Sequence, residues 1–298
     1  MPRWRNCAKE RSVRLAEPID QASGLRRLFA CDDAFRALGV LSADARAGAR
    51  AAASLARALG RRGQRVLVLD EARPPHDVGA ALGLAARQGL IDAPARGLHA
   101  VARAAGDGVA VLSAPDGADL LATLPEHTLQ ALVEDWRARE EAPEWLVVNG
   151  ADGTGERTTL AFTAGTRVLV LPAERARLAD AYALMKRAHV DWSGESWLVL
   201  VDGAEAAAAH ALYASLRDTA RRFLGVDANF IAALPRRPGG AATVDAPLLD
   251  ALADELLARP LTEQVSFEQY WQRMWLFSRM RCQRAGGRTG HGQRRARR

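Results

Sequence analysis

The chain has 298 residues, of which 49% are hydrophobic and 26% charged, enough apolar material to bury one large core. Its net charge of +6 is local: Arg279 to Arg298 hold eight arginines and no acids, leaving about −2 for everything before them, so a uniformly basic nucleic-acid-binding body is excluded. No apolar run of about eighteen residues appears, and the opening MPRWRNCAKERSVR is charged with no apolar stretch behind it, so neither a membrane span nor a secretory signal is expected and the expected location is cytoplasmic.

In chain order, the first element is Asp20-Gln21-Ala22-Ser23-Gly24-Leu25-Arg26-Arg27-Leu28-Phe29. Asp20 reads as an N-cap, and Leu25, Leu28 and Phe29 as a short apolar helical face. Short Val- and Leu-rich runs bounded by turn residues follow at 38–42, 65–70, 108–113, 144–150, 166–172 and 196–202 and predict buried strands. Between them, Ala-, Leu- and Arg-rich stretches predict helices over Ala47–Leu59, Leu120–Arg139, Leu178–Ala188 and Ala204–Leu224. This alternation predicts an α/β fold, a mostly parallel sheet with helices on both faces, whose ligand loops lie at the carboxyl ends of the strands. Near the end, Phe267, Tyr270, Trp271, Met274, Trp275 and Ser278 recur at helical spacing, with Arg273, Arg279, Arg281 and Arg284 beside them. The expected organisation is an N-terminal arm over 1–36, an α/β domain over 37–260, an amphipathic helix over 261–285 and a disordered basic tail over 286–298. Cys7, Cys31 and Cys282 are odd in number and lack CxxC spacing, which argues against a disulfide framework or a zinc site.

Three loops carry the functional argument. The first reads Ser42-Ala43-Asp44-Ala45-Arg46-Ala47-Gly48-Ala49-Arg50, the second Asp70-Glu71-Ala72, and the third Asn149-Gly150-Ala151-Asp152-Gly153. Strand, loop and helix at 38–59, followed closely by RRGQRVLVLD, resemble the start of the MinD/ParA ATPases, P-loop NTPases whose first loop reads S-G-K-G-G-x-G-K-[ST]. In that family glycine amides cradle phosphate, lysines neutralise it and the hydroxyl binds Mg²⁺. Against that pattern only Ser42 and Gly48 stand in register. Asp44 falls where the signature lysine belongs, Ala49 at the P-loop lysine and Arg50 at the Mg²⁺-binding hydroxyl. Alanines at glycine positions add Cβ atoms where backbone must approach phosphate. Asp70 keeps the first carboxylate of the family's D-x-D while Ala72 loses the second, and Asn149 replaces the aspartate that would hold hydrated Mg²⁺. Asp202 stands where relatives often carry a base-contacting asparagine. Loss of lysine, hydroxyl and both carboxylates together removes the positioning and electrostatics that phosphoryl transfer needs, so ATP and Mg²⁺ binding are expected to be lost.

Two further segments resemble the flagellar-number regulators of this family, the FlhG/FleN branch: the decapeptide at 20–29, similar to D-Q-A-x-x-L-R, and Thr166–Lys186, ending like D-A-Y-A-L-x-K. The resemblance implies a pseudo-ATPase whose Asp20, Gln21, Ala22, Leu25 and Arg26 bind the FlhF-type signal-recognition GTPase. It also implies contacts with a flagellar transcription activator and rotor-switch proteins. MinD-like proteins are similar in ending with a membrane-targeting helix, so Phe267, Tyr270, Trp271, Met274 and Trp275, with Arg273 and Arg279, are expected to face an anionic membrane at the inner face of the cell membrane. The competing fate of that stripe is packing on the protein's own sheet. Two alternatives stay open: a residual MinD/ParA-type ATPase in which Arg46 or Arg50 replaces the lysines, and a ParA-like partition protein binding DNA through its basic tail. Nucleic acid is the least favoured partner.

Overall fold

Val- and Leu-rich runs gain most when both faces of a strand are buried, and here they pair side by side into one sheet. The computed structural model describes residues 35–85, 88–139, 142–150, 159–192, 196–235, 244–259 and 265–295. Eight strands lie among them: β1 (Arg36–Ser42), β2 (Val66–Asp70), β3 (Arg103–Gly106), β4 (Val109–Ser113), β5 (Trp145–Asn149), β6 (Thr166–Pro172), β7 (Ser196–Asp202) and β8 (Ala228–Leu234). Their order is β3-β4-β2-β5-β1-β6-β7-β8, with only the β3–β4 pair antiparallel. The expected α/β class and parallel sheet are therefore present. Two strands carry little strand signal in the sequence: β3 is four residues of Arg, Ala and Gly, and β8 is an alanine-rich edge strand.

Helix α1 (Ala45–Arg61) crosses the middle of one face, with α2 (Val78–Ala81) and α9 (Ala246–Ala258) beside it, and packs on Leu38, Val40, Val68 and Val168. Seven of its alanines are buried, so small side chains serve close approach to sheet and neighbouring helix. The other face carries α3 (Ala93–Arg96), α4 (Leu98–Val101), α5 (Gly117–Thr123), α6 (Glu126–Arg139), α7 (Leu178–Asp191), α8 (Ala206–Leu224) and α10 (Phe267–Arg295). The single helix expected over Leu120–Arg139 is two: α5 ends before Leu124, and α6 starts at Glu126, directly after Pro125, whose ring cannot continue a helix. On this face a short 3₁₀ turn, Leu160–Thr163, sits directly on β1, and a Cβ at Gly39 would collide with the Ala161 carbonyl.

The C-terminal stripe corrects an expectation. Phe267, Tyr270, Trp271, Met274 and Trp275 are all buried, at 0–5% exposure, in the main core cluster, so they face the protein and not a lipid surface. Tyr270 Oη lies 3.0 Å from Thr163 Oγ1, and the Trp275 indole N–H donates to the Leu124 carbonyl at 2.8 Å. Phe35 stacks against Phe267 and Tyr270 at 5.7 and 5.6 Å. The cause is that the 3₁₀ turn, α5 and α6 leave an apolar surface which the stripe covers, and each large side chain so buried contributes about 2–3 kcal/mol. Arg273 lies over Tyr270 at 5.7 Å and Arg281 pairs with Asp191, while the exposed Arg279 covers Trp275 at 4.7 Å. The α10 backbone stays helical to Arg295, past the expected end at 285, because a helix anchored by packing extends without a new nucleation cost. Among the described residues no helix is long and apolar enough to cross a membrane.

Candidate functional site at the carboxyl ends of the central strands

The chain runs outward from β1 to β2 and β4, returns to place β5 next to β1, and then builds β6, β7 and β8 on the far side. The direction of winding reverses at β1 and β5, which puts a crevice beyond their carboxyl ends, between Ser42 and Asn149. Ser42, Asp70, Asn149 and Asp202 each end a strand at this edge and are 1–4% exposed. The structure thus brings together the predicted residues of all three loops.

The first loop is short because its residues are helical from Ala45 onward. Asp44 has extended backbone and caps α1, its carboxylate accepting from the Ala47 N–H at 2.9 Å while its carbonyl accepts from Gly48 N–H at 2.9 Å. The Asp44 N–H in turn donates to Ser42 Oγ at 3.1 Å. The Ala47 and Gly48 amides are thus both spent on Asp44. Gly48 lies against the strand ends: a Cβ there would stand 3.2 Å from Ser42 Cβ and 3.3 Å from Asn149 Oδ1. Close packing therefore accounts for this glycine without a ligand. Ala49 is buried at 2%, and Arg50 reaches across to β7, pairing with Asp202 at 3.0 Å with the carboxylate 2% exposed. Arg46 is exposed on the rim of a polar hollow of about 270 Å³ shared with Arg50, His76 and Asp77.

The second loop is organised around Asp70. Its carboxylate accepts from Ala72 N–H at 3.2 Å, Val78 N–H at 2.6 Å and the Asn149 side-chain amide at 2.8 Å. Burial raises its pKa to about 6 against these three hydrogen bonds, with Asp77 adding repulsion. Asn149 thus spends its amide nitrogen on Asp70, and its buried Oδ1 has no hydrogen-bond partner among the described residues. Ala72 is buried at 3% and offers no side-chain ligand.

Glu71 and Asp77 were not among the expected site residues. Asp77 is legible as the N-cap of α2, accepting from Ala80 N–H at 2.9 Å. Glu71 has no such signal, since nothing in the sequence marks it as buried. Its carboxylate takes the Thr159 hydroxyl and the Leu160 N–H, the latter at 2.9 Å, and so caps the 3₁₀ turn on β1. Burial pushes its pKa up to about 8, against the hydrogen bonds from Thr159, Leu160 and Ala161 and helped by the charge of Asp70. The expected partner-binding residues Asp20, Gln21, Ala22, Leu25 and Arg26 lie outside the described residues. Among the described residues no group of three or more His, Cys, Asp or Glu side chains is placed to hold a metal.

No protein-family model matches the chain, and a comparison with curated proteins finds no match either. Solved structures do match. A chain of the MinC:MinD cell division protein complex of Aquifex aeolicus, 15% identical, covers 78% of this chain and 98% of its own length at a TM-score of 0.55. Cobyrinic acid a,c-diamide synthase of Mycobacterium smegmatis, solved with bound ADP and magnesium, is 17% identical over 75% of this chain and 94% of that one, at 0.51. A ParA family ATPase from Chlorobium tepidum TLS is 15% identical over 83% and 98%, at 0.50. The fold is that of the MinD/ParA P-loop NTPases.

Proposed function

We propose that this chain is a regulator of flagellar number or placement of the FlhG/FleN type, acting as a pseudo-ATPase that binds an FlhF-type GTPase through residues 20–29. The observation that carries the loss of nucleotide is the state of the first loop. The residues in register with the phosphate cradle form a capped helix, and Arg50, which stands at the Mg²⁺-hydroxyl position, is paired with Asp202. Phosphate binding needs outward-facing amides and a lysine, and hydrated Mg²⁺ needs hydroxyl and carboxylate oxygens. Ala49, Arg50, Ala72 and Asn149 supply none of these, so the residues present do not fit Mg·ATP and no catalytic step is assigned to them.

The flagellar assignment is supported by the two segments that keep their family pattern, Asp20–Phe29 and Thr166–Lys186. The second forms β6 and most of α7, where Ala181, Leu184 and Met185 are buried, so it is a mark of ancestry and the first is the binding element. Contacts with a flagellar transcription activator and rotor-switch proteins follow from the same resemblance. Peripheral contact with anionic membrane would use the outer face of α10, where Leu276 and Met280 are exposed, and not the buried stripe.

The test is a pull-down of a cognate FlhF-type GTPase with the full chain, wild type and Gln21→Ala, paired with its GTP hydrolysis rate. Capture and stimulation that weaken in Gln21→Ala support the reading; a GTPase indifferent to the protein overturns it. In parallel, a Mg·ATP-dependent rise in melting temperature would return the chain to the ATPases.

A further inference from the structure

The buried stripe of α10 rests chiefly on α5 and on the Leu160–Thr163 turn, and these two supports meet at one side chain. Glu71, the residue after β2, is 3% exposed and reaches under the turn. One oxygen, Oε2, accepts from the Thr159 hydroxyl and from the Leu160 N–H, the latter at 2.9 Å. The other lies beside the first residue of α5: a Cβ added at Gly117 would stand 3.6 Å from Glu71 Oε1 and 3.2 Å from Leu160 Cδ1.

The turn has little hold of its own. Its internal backbone bonds are long, from Phe162 N–H to the Thr159 carbonyl at 3.3 Å and from Ala164 N–H to the Ala161 carbonyl at 3.5 Å, as expected of a short 3₁₀ piece. The Thr159 hydroxyl, which accepts from the Ala161 N–H at 3.1 Å, is itself held by Glu71. Burial of Leu160 and Phe162 keeps the segment on the sheet, but burial is non-directional. The direction in which Thr163 points is set by the capped turn, and the cap comes from a strand end 88 positions away.

From Thr163 the contacts pass to α10. The Thr163 hydroxyl donates to the Leu160 carbonyl at 2.7 Å, so the Tyr270 hydroxyl, 3.0 Å away, is the donor to Thr163 Oγ1. Arg273, on the same face one helical turn later, donates to the Thr163 carbonyl at 3.5 Å. Further along, α10 is held by other groups, Trp275 on the Leu124 carbonyl and Arg281 with Asp191.

We propose that Glu71 is a latch on the first two turns of α10: its carboxyl under the Leu160–Thr163 turn keeps them docked, and its withdrawal lets the turn and that end of the helix open together. Opening uncovers Tyr270 and Trp271, so the crevice end of β2 governs access to this aromatic surface. The latch requires neither nucleotide nor the arm at 20–29.

The experiment is hydrogen exchange of the full chain at pH 6.0, read by mass spectrometry on peptides covering 159–164 and 267–274. At that pH burial keeps the Glu71 carboxyl protonated, its pKa being raised to about 8, so glutamine is its nearest mimic. Glu71→Ala should speed exchange in both peptides by about 5- to 30-fold, as loss of a cap gives, while Glu71→Gln should stay within about 2-fold of wild type. Thr163→Val removes the link to Tyr270. In that background Glu71→Ala should still speed exchange at 159–164 but add less than about 2-fold at 267–274, an outcome that a loss of global stability does not produce. Thr159→Val, with a smaller effect and the same dependence on Thr163, serves if Glu71→Ala does not fold. Unchanged exchange at 267–274 in Glu71→Ala, an effect there that persists undiminished in Thr163→Val, or a loss in Glu71→Gln as large as in Glu71→Ala would each overturn the proposal.

Discussion

Replacing Glu71 by glutamine should flatten the alkaline side of this protein's stability profile. The Glu71 carboxyl ionises near 4.5 in an open chain, and burial in the folded protein raises that value to about 8. Between those values the folded state holds the proton that the unfolded state has released. The group's contribution is therefore fully present below pH 4.5 and is lost as pH rises toward 8. In the middle of the window the slope is about 1.4 kcal/mol per pH unit, so from pH 6 to 7.5 wild type should lose about 2 kcal/mol through this group alone. Asp70, raised to about 6, acts in the same direction but has finished most of its change by then. Glutamine matches the protonated acid in shape, and one Oε can still accept from Thr159 and Leu160, so Glu71→Gln should fold and lack this slope. Urea unfolding at pH 6.0 and 7.5 measures the difference. Equal slopes in the two proteins would refute the placement of a protonated carboxyl under the 3₁₀ turn. The effect should reach α10, because Thr163 of that turn carries Tyr270.

Arg50→Ala leaves the buried Asp202 carboxylate without its guanidinium and should cost ~2–4 kcal/mol in chemical unfolding, with Asp202→Asn as a second change recovering part of the loss. Trp271→Ala empties a fully buried site and should cost about 3–5 kcal/mol, whereas Leu276→Ala, 48% exposed on the same helix, should stay within about 0.5 kcal/mol; similar costs for the two would contradict the burial of the stripe. Gly39→Ala should destabilise by several kcal/mol in the same assay, because the Ala161 backbone occupies the space its Cβ needs. Addition of Mg·ATP should leave the melting temperature unchanged, read by differential scanning fluorimetry.

The sheet and the crevice were legible in the sequence because they depend on local periodicity. Val- and Leu-rich runs such as RVLVLD and TRVLVLP specify strands wherever they lie, and alternation with helical stretches specifies their parallel pairing, so the sequence alone puts Ser42, Asp70 and Asn149 at one edge. Substitutions within a loop are equally local, so Asp44, Ala49 and Ala72 could be read directly. Partnership is not. The α10 stripe has the same spacing whether it meets lipid or core, and only the apolar surface left by α5, α6 and the 3₁₀ turn decided that it is core. Likewise Asp44, which as a charge near phosphate reads as a repulsive residue, is in three dimensions a helix cap, and Arg50 belongs to Asp202, 152 positions away. Burial of Glu71 depends on the Leu160–Thr163 turn closing over it. Sequence fixes what one segment can do by itself, while the neighbours that satisfy or bury a polar group come from distant parts of the chain and exist only once the sheet has assembled.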